Sequence, residues 1–142
     1  MTMKGTLVAL GVMAVLLLSA EHLPAQRIEK PLPPAVTDLE QTKLIEIKNE
    51  AGATVLKGTF EAKNGSHKTR KAKLSGVSGA GSAEIEVSKK NGQVKDQELE
   101  LELERLLYDA PYKVFLDNNE VFTFSADHKG KADLKLSRKN TK

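Results

Sequence analysis

"QELELELERLL", residues 97–107, alternates leucine and glutamate almost without a break, and its reading decides the fold. Both residue types favour helices. Leu99, Leu103, Leu106 and Leu107 fall at i, i+4, i+7 and i+8, which is one face of a helix. A helix, however, leaves Leu101 on the far side and stacks Glu98 with Glu102 and Glu100 with Glu104, like charges one turn apart. Asp96 also lacks the Glu or Gln three residues on that completes a capping box. As a strand, Leu99, Leu101 and Leu103 share one face and Glu98, Glu100, Glu102 and Glu104 the other. The phase then slips only at Arg105-Leu106, as a bulge or strand end requires. The strand reading is preferred, with the helix as its alternative, because "KNGQ" (90–93) just upstream signals a hairpin that demands a partner strand.

Working outward, "SAEIEVSKK" (82–90) sets Ala83, Ile85 and Val87 on one face and Glu84 and Glu86 on the other. "KLIEIKN" (43–49) pairs Ile45 with Ile47, "NEAGA" supplies a turn at Gly52, and "TVLKGTFEAKN" (54–64) places Leu56 and Phe60 together. "KAKLSG" (71–76) repeats the pattern with Ala72 and Leu74. Residues 112–137 give three more runs, broken at Asn118-Asn119 and Lys129-Gly130. Short alternating runs between turn signals predict an all-β chain, an antiparallel β-sandwich of about seven strands.

The chain opens with Lys4 followed by "TLVALGVMAVLLLSA", the layout of a bacterial-type signal peptide. Thr6 to Ala20 is 15 residues, shorter than the ~20 of a membrane-spanning helix, so no stable span is expected once the signal is cut. Cleavage is expected after Ala25, with Ala20 as the alternative, and no cysteine stands at either cut to carry a lipid. Residues 1–25 are thus read as the signal and 26–37, with Pro31, Pro33 and Pro34, as a stiff extended linker with little that packs. The sandwich domain is expected over 38–138, with a basic tail at 139–142. The chain has no cysteine, so an exported domain must hold together by packing and β hydrogen bonds alone. Secreted or periplasmic localisation follows from the signal.

Net charge is +3, unevenly placed: 63–73 and the C-terminal end are basic, while Asp96 to Glu104 is acidic. With four Phe, two Tyr and no Trp there is little to stack bases, and no nucleic-acid partner is expected. If 83–88 and 97–104 form a hairpin, Glu84 and Glu86 share an outer face with the glutamates of the next strand, and like charges opposite one another destabilise. Something must offset them. Lys71 and Lys73, or Lys113, on neighbouring strands are one answer, worth only ~0–1 kcal/mol per exposed pair. A basic partner docking on Glu84, Glu86, Glu98, Glu100 and Glu102 is another, and a calcium ion held by the same residues a third, although a flat ladder converges poorly on one ion.

Catalytic signatures are weak. His67 and His128, the histidines beyond the signal, sit in Lys-flanked turns without metal-ligand spacing. "SGVSGAGS" (75–82) precedes a strand, whereas phosphate loops open a helix. No serine stands in a recognisable triad setting, and the glutamates share one open environment. An enzyme is not expected. Asn64 heads an N-G-S sequon, a three-residue match of little weight in a bacterial-type chain.

"LSGVSGAGSAEIEV" (74–87), followed by a turn and an alternating strand to 103, resembles the opening of CHRD-type domains, the secreted β-sandwich modules named after chordin. "RLLYDAPYKVFLDNN" (105–119) resembles instead the Leu-x-x-x-x-Tyr-x-Val strand of exported immunoglobulin-like modules, and no site residue is carried over. Both resemblances imply an exported sandwich. The expected function is a non-catalytic binding module for a protein or envelope polysaccharide, the alternative a calcium-stabilised structural module.

Overall fold

The computed structural model describes residues 26–63 and 66–139. The expected signal (1–25), Asn64 and most of the basic tail lie outside the described residues. The strands are β1 (Arg27–Pro31), β2 (Leu44–Asn49), β3 (Thr54–Thr59), β4 (Glu61–Lys63), β5 (Ser66–Leu74), β6 (Ala80–Lys90), β7 (Gln93–Glu104), β8 (Pro111–Leu116), β9 (Asn119–Ser125) and β10 (Ala132–Lys139). They form two sheets, ordered β1-β10-β7-β6-β5-β4 and β3-β2-β8-β9. A single-turn 3₁₀ helix (Leu39–Gln41), capped by Asp38, lies on the connection from β1 to β2.

Residues 97–104 are strand, the last two-thirds of β7, and β7 is central in its sheet. Leu99, Leu101 and Leu103 point into the core, flanked by Ile85 and Ala83 of β6 and by Leu134 and Leu136 of β10. The facing sheet contributes Ile45, Ile47, Leu56 and Val114, all with no exposed surface. Period-two alternation on both sheets builds this layer, since inward residues of neighbouring strands mostly lie opposite one another; the bulge between Val114 and Phe115 is an exception that sets buried Leu116 opposite exposed Asn119. Arg105 ends β7 in the left-handed region at φ 59°, which accounts for the phase slip there.

The hairpin signal at Asn91-Gly92 holds, and the break read at Asn118-Asn119 falls one residue earlier. Asn91-Gly92 turns with φ of 54° and 77° between Lys90 and Gln93, and Asp117-Asn118 turns with 47° and 69° between Leu116 and Asn119. Positive φ at both central residues is what a two-residue hairpin of matching twist needs.

The described residues hold ten strands where about seven are expected: the eight alternating runs of the sequence each form strand, and two more arise for physical reasons. First, residues 54–64 are not one strand: the chain bends at Phe60, whose N–H donates to the Lys43 carbonyl, so β3 lies in one sheet and β4 in the other. Second, the segment read as a linker is extended as expected but also packs. Residues 27–31 run parallel to β10 as an edge strand, and Leu32 is buried. The prolines do not prevent this, because Pro31 stands at the strand's end and edge strands tolerate proline. The sheets are stitched along one margin, where Lys57 and Ser75 exchange two backbone hydrogen bonds of 2.9 and 3.1 Å. A Cβ on Gly76 would stand 2.0 Å from the Val55 carbonyl oxygen, so only glycine lets the chains approach this closely.

Candidate partner-binding face

The outward face of the six-stranded sheet is set by register. Across one rung run Glu29, Lys135, Glu100, Glu84, Lys71 and Glu61. The rung on one side carries Ser137, Glu98, Glu86 and Thr69, and the rung on the other Arg27, Asp133, Glu102, Ser82 and Lys73. All five glutamates expected to share a face therefore do so. Glu84 lies directly opposite Glu100 and Glu86 opposite Glu98, the like-charge contacts that the alternation implied.

Cations on both flanks offset these contacts. Lys71 Nζ lies 3.0 Å from Glu84, as the sequence suggested. Lys113 does not contribute; it sits on the other sheet and pairs with Glu120 at 3.4 Å. Its place is taken by residues that sequence reasoning did not single out. Lys135 on β10 reaches Glu98 at 3.3 Å, and Arg27 on β1 lies 3.2 Å from Asp133 and 3.7 Å from Glu100. The signal for Lys135 lies in the alternation of "ADLKLSRK" (132–139), which does not say that β10 flanks β7; Arg27 has no such local signal.

Glu100 sits at the centre of this arrangement. Its carboxyl lies above the usual carboxylate range, first because it shares a hydrogen bond with Glu98, then because it is partly buried, with Arg27 and Lys135 pulling the other way. Glu100 thus holds its proton more tightly than a free glutamate would, which is how a carboxylate ladder relieves repulsion it cannot neutralise.

The face is a trough. One hollow of about 600 Å³ is bordered by Thr69, Glu86, Ser88, Asp96, Glu98, Lys135, Ser137 and Lys139, and a smaller one of about 120 Å³ by Lys71, Ser82, Glu84, Glu100 and Glu102. Apart from Val87, Gln97 and Ala83, its lining residues are charged or hydroxylic, and none is aromatic. Among the described residues no three His, Asp or Glu side chains converge as a ligand set for a metal ion. His128 is exposed on the connection from β9 to β10, away from the trough. No helix among the described residues is long and apolar enough to cross a membrane. In comparisons with known proteins, no family model, curated protein or solved structure matches the chain.

Proposed function

We propose that the protein is an exported, non-catalytic β-sandwich module that binds a basic protein partner on the outward face of its six-stranded sheet. The observation carrying this reading is the carboxylate excess on that face: its three rungs hold eight Asp and Glu, among them Glu84, Glu86, Glu98, Glu100 and Glu102, against the four cations Arg27, Lys71, Lys73 and Lys135, on a chain whose net charge is +3. Complementary charge steers and registers a partner. Exposed Glu86 and Glu102 are the groups best placed to meet its cations, while Glu84 and Glu98 are already engaged by Lys71 and Lys135. A polysaccharide is the weaker partner, because sugar rings stack their C–H faces on aromatic side chains and the trough offers none. The calcium reading has less support still, since the carboxylates run along two strands instead of converging on a point.

The test is capture from the native envelope with the wild-type chain and with a Glu86→Lys/Glu102→Lys double variant. A basic protein retained by the wild type should bind the variant at least about tenfold more weakly, and binding should weaken as salt rises. Equal retention by both chains would sink the proposal. A melting midpoint that rises saturably with calcium and falls with chelator would instead favour the cation reading.

A further inference from the structure

Among the described residues the exposed large hydrophobic side chains are Val77, Leu107 and Tyr108, at 88, 68 and 66% exposure, and all three stand at one end of the sandwich. Val77 lies on the connection from β5 to β6 and the other two on that from β7 to β8. The pairings of Leu74 with Gly81, Gly81 with Leu103, and Asn49 with Tyr112 bring both connections together beside the turn at 49–53. Val77 and Leu107 border a shared hollow of about 620 Å³ with Ala110 and Pro111.

These tips are held outward by the backbone. Arg105 and Asp109 both adopt the left-handed region, at φ 59° and 58°, and bracket Leu107-Tyr108. Leu106 is buried beneath them, its N–H bonded to the Gly130 carbonyl at 2.9 Å, and the Leu107 N–H donates to the Tyr112 hydroxyl at 3.0 Å. Strained non-glycine backbone that presents apolar side chains to solvent costs stability twice, which calls for a role.

We propose that this end of the sandwich docks on a lipid bilayer surface, with Val77, Leu107 and Tyr108 entering its interfacial layer. Three observations favour lipid over a protein partner. The hollow that Val77 and Leu107 border is open, all three side chains stand well exposed, and a tyrosine beside aliphatic tips suits the boundary between headgroups and acyl chains. Charge around the tips balances, with Glu50, Asp109 and Asp127 against Arg105, Lys129 and Lys131, so nothing there repels a zwitterionic surface. Finally, β1 runs parallel to β10 from the pairing of Arg27 with Asp133, so the chain enters the fold at this same end. The apolar run Thr6–Ala20 stops seven residues before Arg27, a reach of at most ~25 Å. A membrane holding the apolar run would lie within that reach of Arg27 at this end of the fold, and after removal of the leader the tips would supply a contact of their own.

The test is flotation of the chain from Gln26 onward, which contains all ten strands and the whole core, with neutral phosphatidylcholine vesicles. A Val77→Asp/Leu107→Asp/Tyr108→Asp triple variant is run beside it. The wild type should float, insensitive to salt, and the variant should lose at least tenfold of the bound fraction with an unchanged melting midpoint, because the three side chains are exposed. A wild type that stays with the unbound fraction overturns the proposal, as does equal flotation of both chains. Sedimentation velocity without lipid closes the other route: a wild-type dimer that the variant dissolves, with no flotation, would assign the patch to a second copy of the chain.

Discussion

At one end of the sandwich the long connection between β1 and β2 is held by side chains reaching in from distant strands; at the other, short loops are held locally, by main-chain hydrogen bonds and by near neighbours such as the Asp127 carboxylate. Where the connection crosses the mouth of the core, its carbonyls point inward and need donors. Three strands of the six-stranded sheet each send in one polar side chain. Arg138 of β10 donates to the carbonyls of Leu32, Pro33 and Val36. Gln97 of β7 accepts from the Leu39 N–H at 2.7 Å and donates to the Thr37 carbonyl at 3.1 Å. Arg70 of β5 donates to the carbonyls of Leu39 and Thr42 at 2.6 and 2.5 Å and lies over the Phe60 ring. The opposite end uses pairs such as Leu106 N–H to Gly130 and the exchange between Lys57 and Ser75, and so needs no buried charge. The contrast teaches where this fold keeps its polar groups. One end turns them inward to close the core, which leaves the other end able to turn apolar groups outward.

Substitutions at two positions probe that contrast. Arg70→Ala should cost the most, about 3 kcal/mol, because it strands two buried carbonyls and empties the space over Phe60. Arg70→Lys should recover less than about half of that, since an ammonium on a flexible stem cannot fork to two fixed carbonyls as guanidinium does. Urea unfolding measures both; a loss under about 1 kcal/mol for the alanine variant would mean that the connection is held by Arg138 and Gln97 alone. At the other end, Gly130→Ala should cost about 2 kcal/mol. Gly130 has φ 77°, and a Cβ there would meet the Leu106 carbonyl oxygen at 2.4 Å. A Gly130 loss larger than that of Arg70 would invert the comparison and make the backbone-held end the more demanding one.

Much of this architecture was legible because alternation and turn chemistry act locally. Residues 97–104 read as strand once Leu101 and the stacked glutamates counted against a helix, and Asn91-Gly92 and Asn118 marked hairpins that the structure contains. The common face of Glu84, Glu86, Glu98, Glu100 and Glu102 followed from the same period of two. What stayed hidden depends on strand order. Parallel pairing of β1 with β10 leaves no local trace, and three prolines made that segment look unable to pack, so Arg27 and Lys135 could not be assigned to the acidic face. Arg70 shares its strand face with Ala72 and Leu74, and Gln97 with Leu99, which placed both inward by period. Their chemistry argued the other way, because charged and amide side chains are seldom buried without partners. Those partners are carbonyls of a connection some thirty to sixty residues away.

The smallest effect expected belongs to Asp127, and it separates the two ends by pH. Its Oδ1 accepts from the N–H groups of Lys129 and Lys131, both at 2.9 Å, closing the loop that supports Gly130. The Lys131 hydrogen bond first holds the carboxyl below its ordinary value of 3.8; burial opposes it, and the Lys129 bond with nearby positive charge adds to the lowering. A folded-state pKa below the unfolded one means stability that is fully present above 3.8 and lost as pH falls through the depressed value. Asp127→Ala should therefore cost about 1 kcal/mol at neutral pH and progressively less as the medium is acidified below that point. Asp127→Asn, which keeps an acceptor without a charge, should fall between the two and show no such dependence. Chemical unfolding at pH 7 and in a descending acid series reads the difference. A gap between wild type and Asp127→Ala that stays constant down the series would show the loop to be held by geometry alone, with the carboxylate's charge contributing nothing to that end of the sandwich.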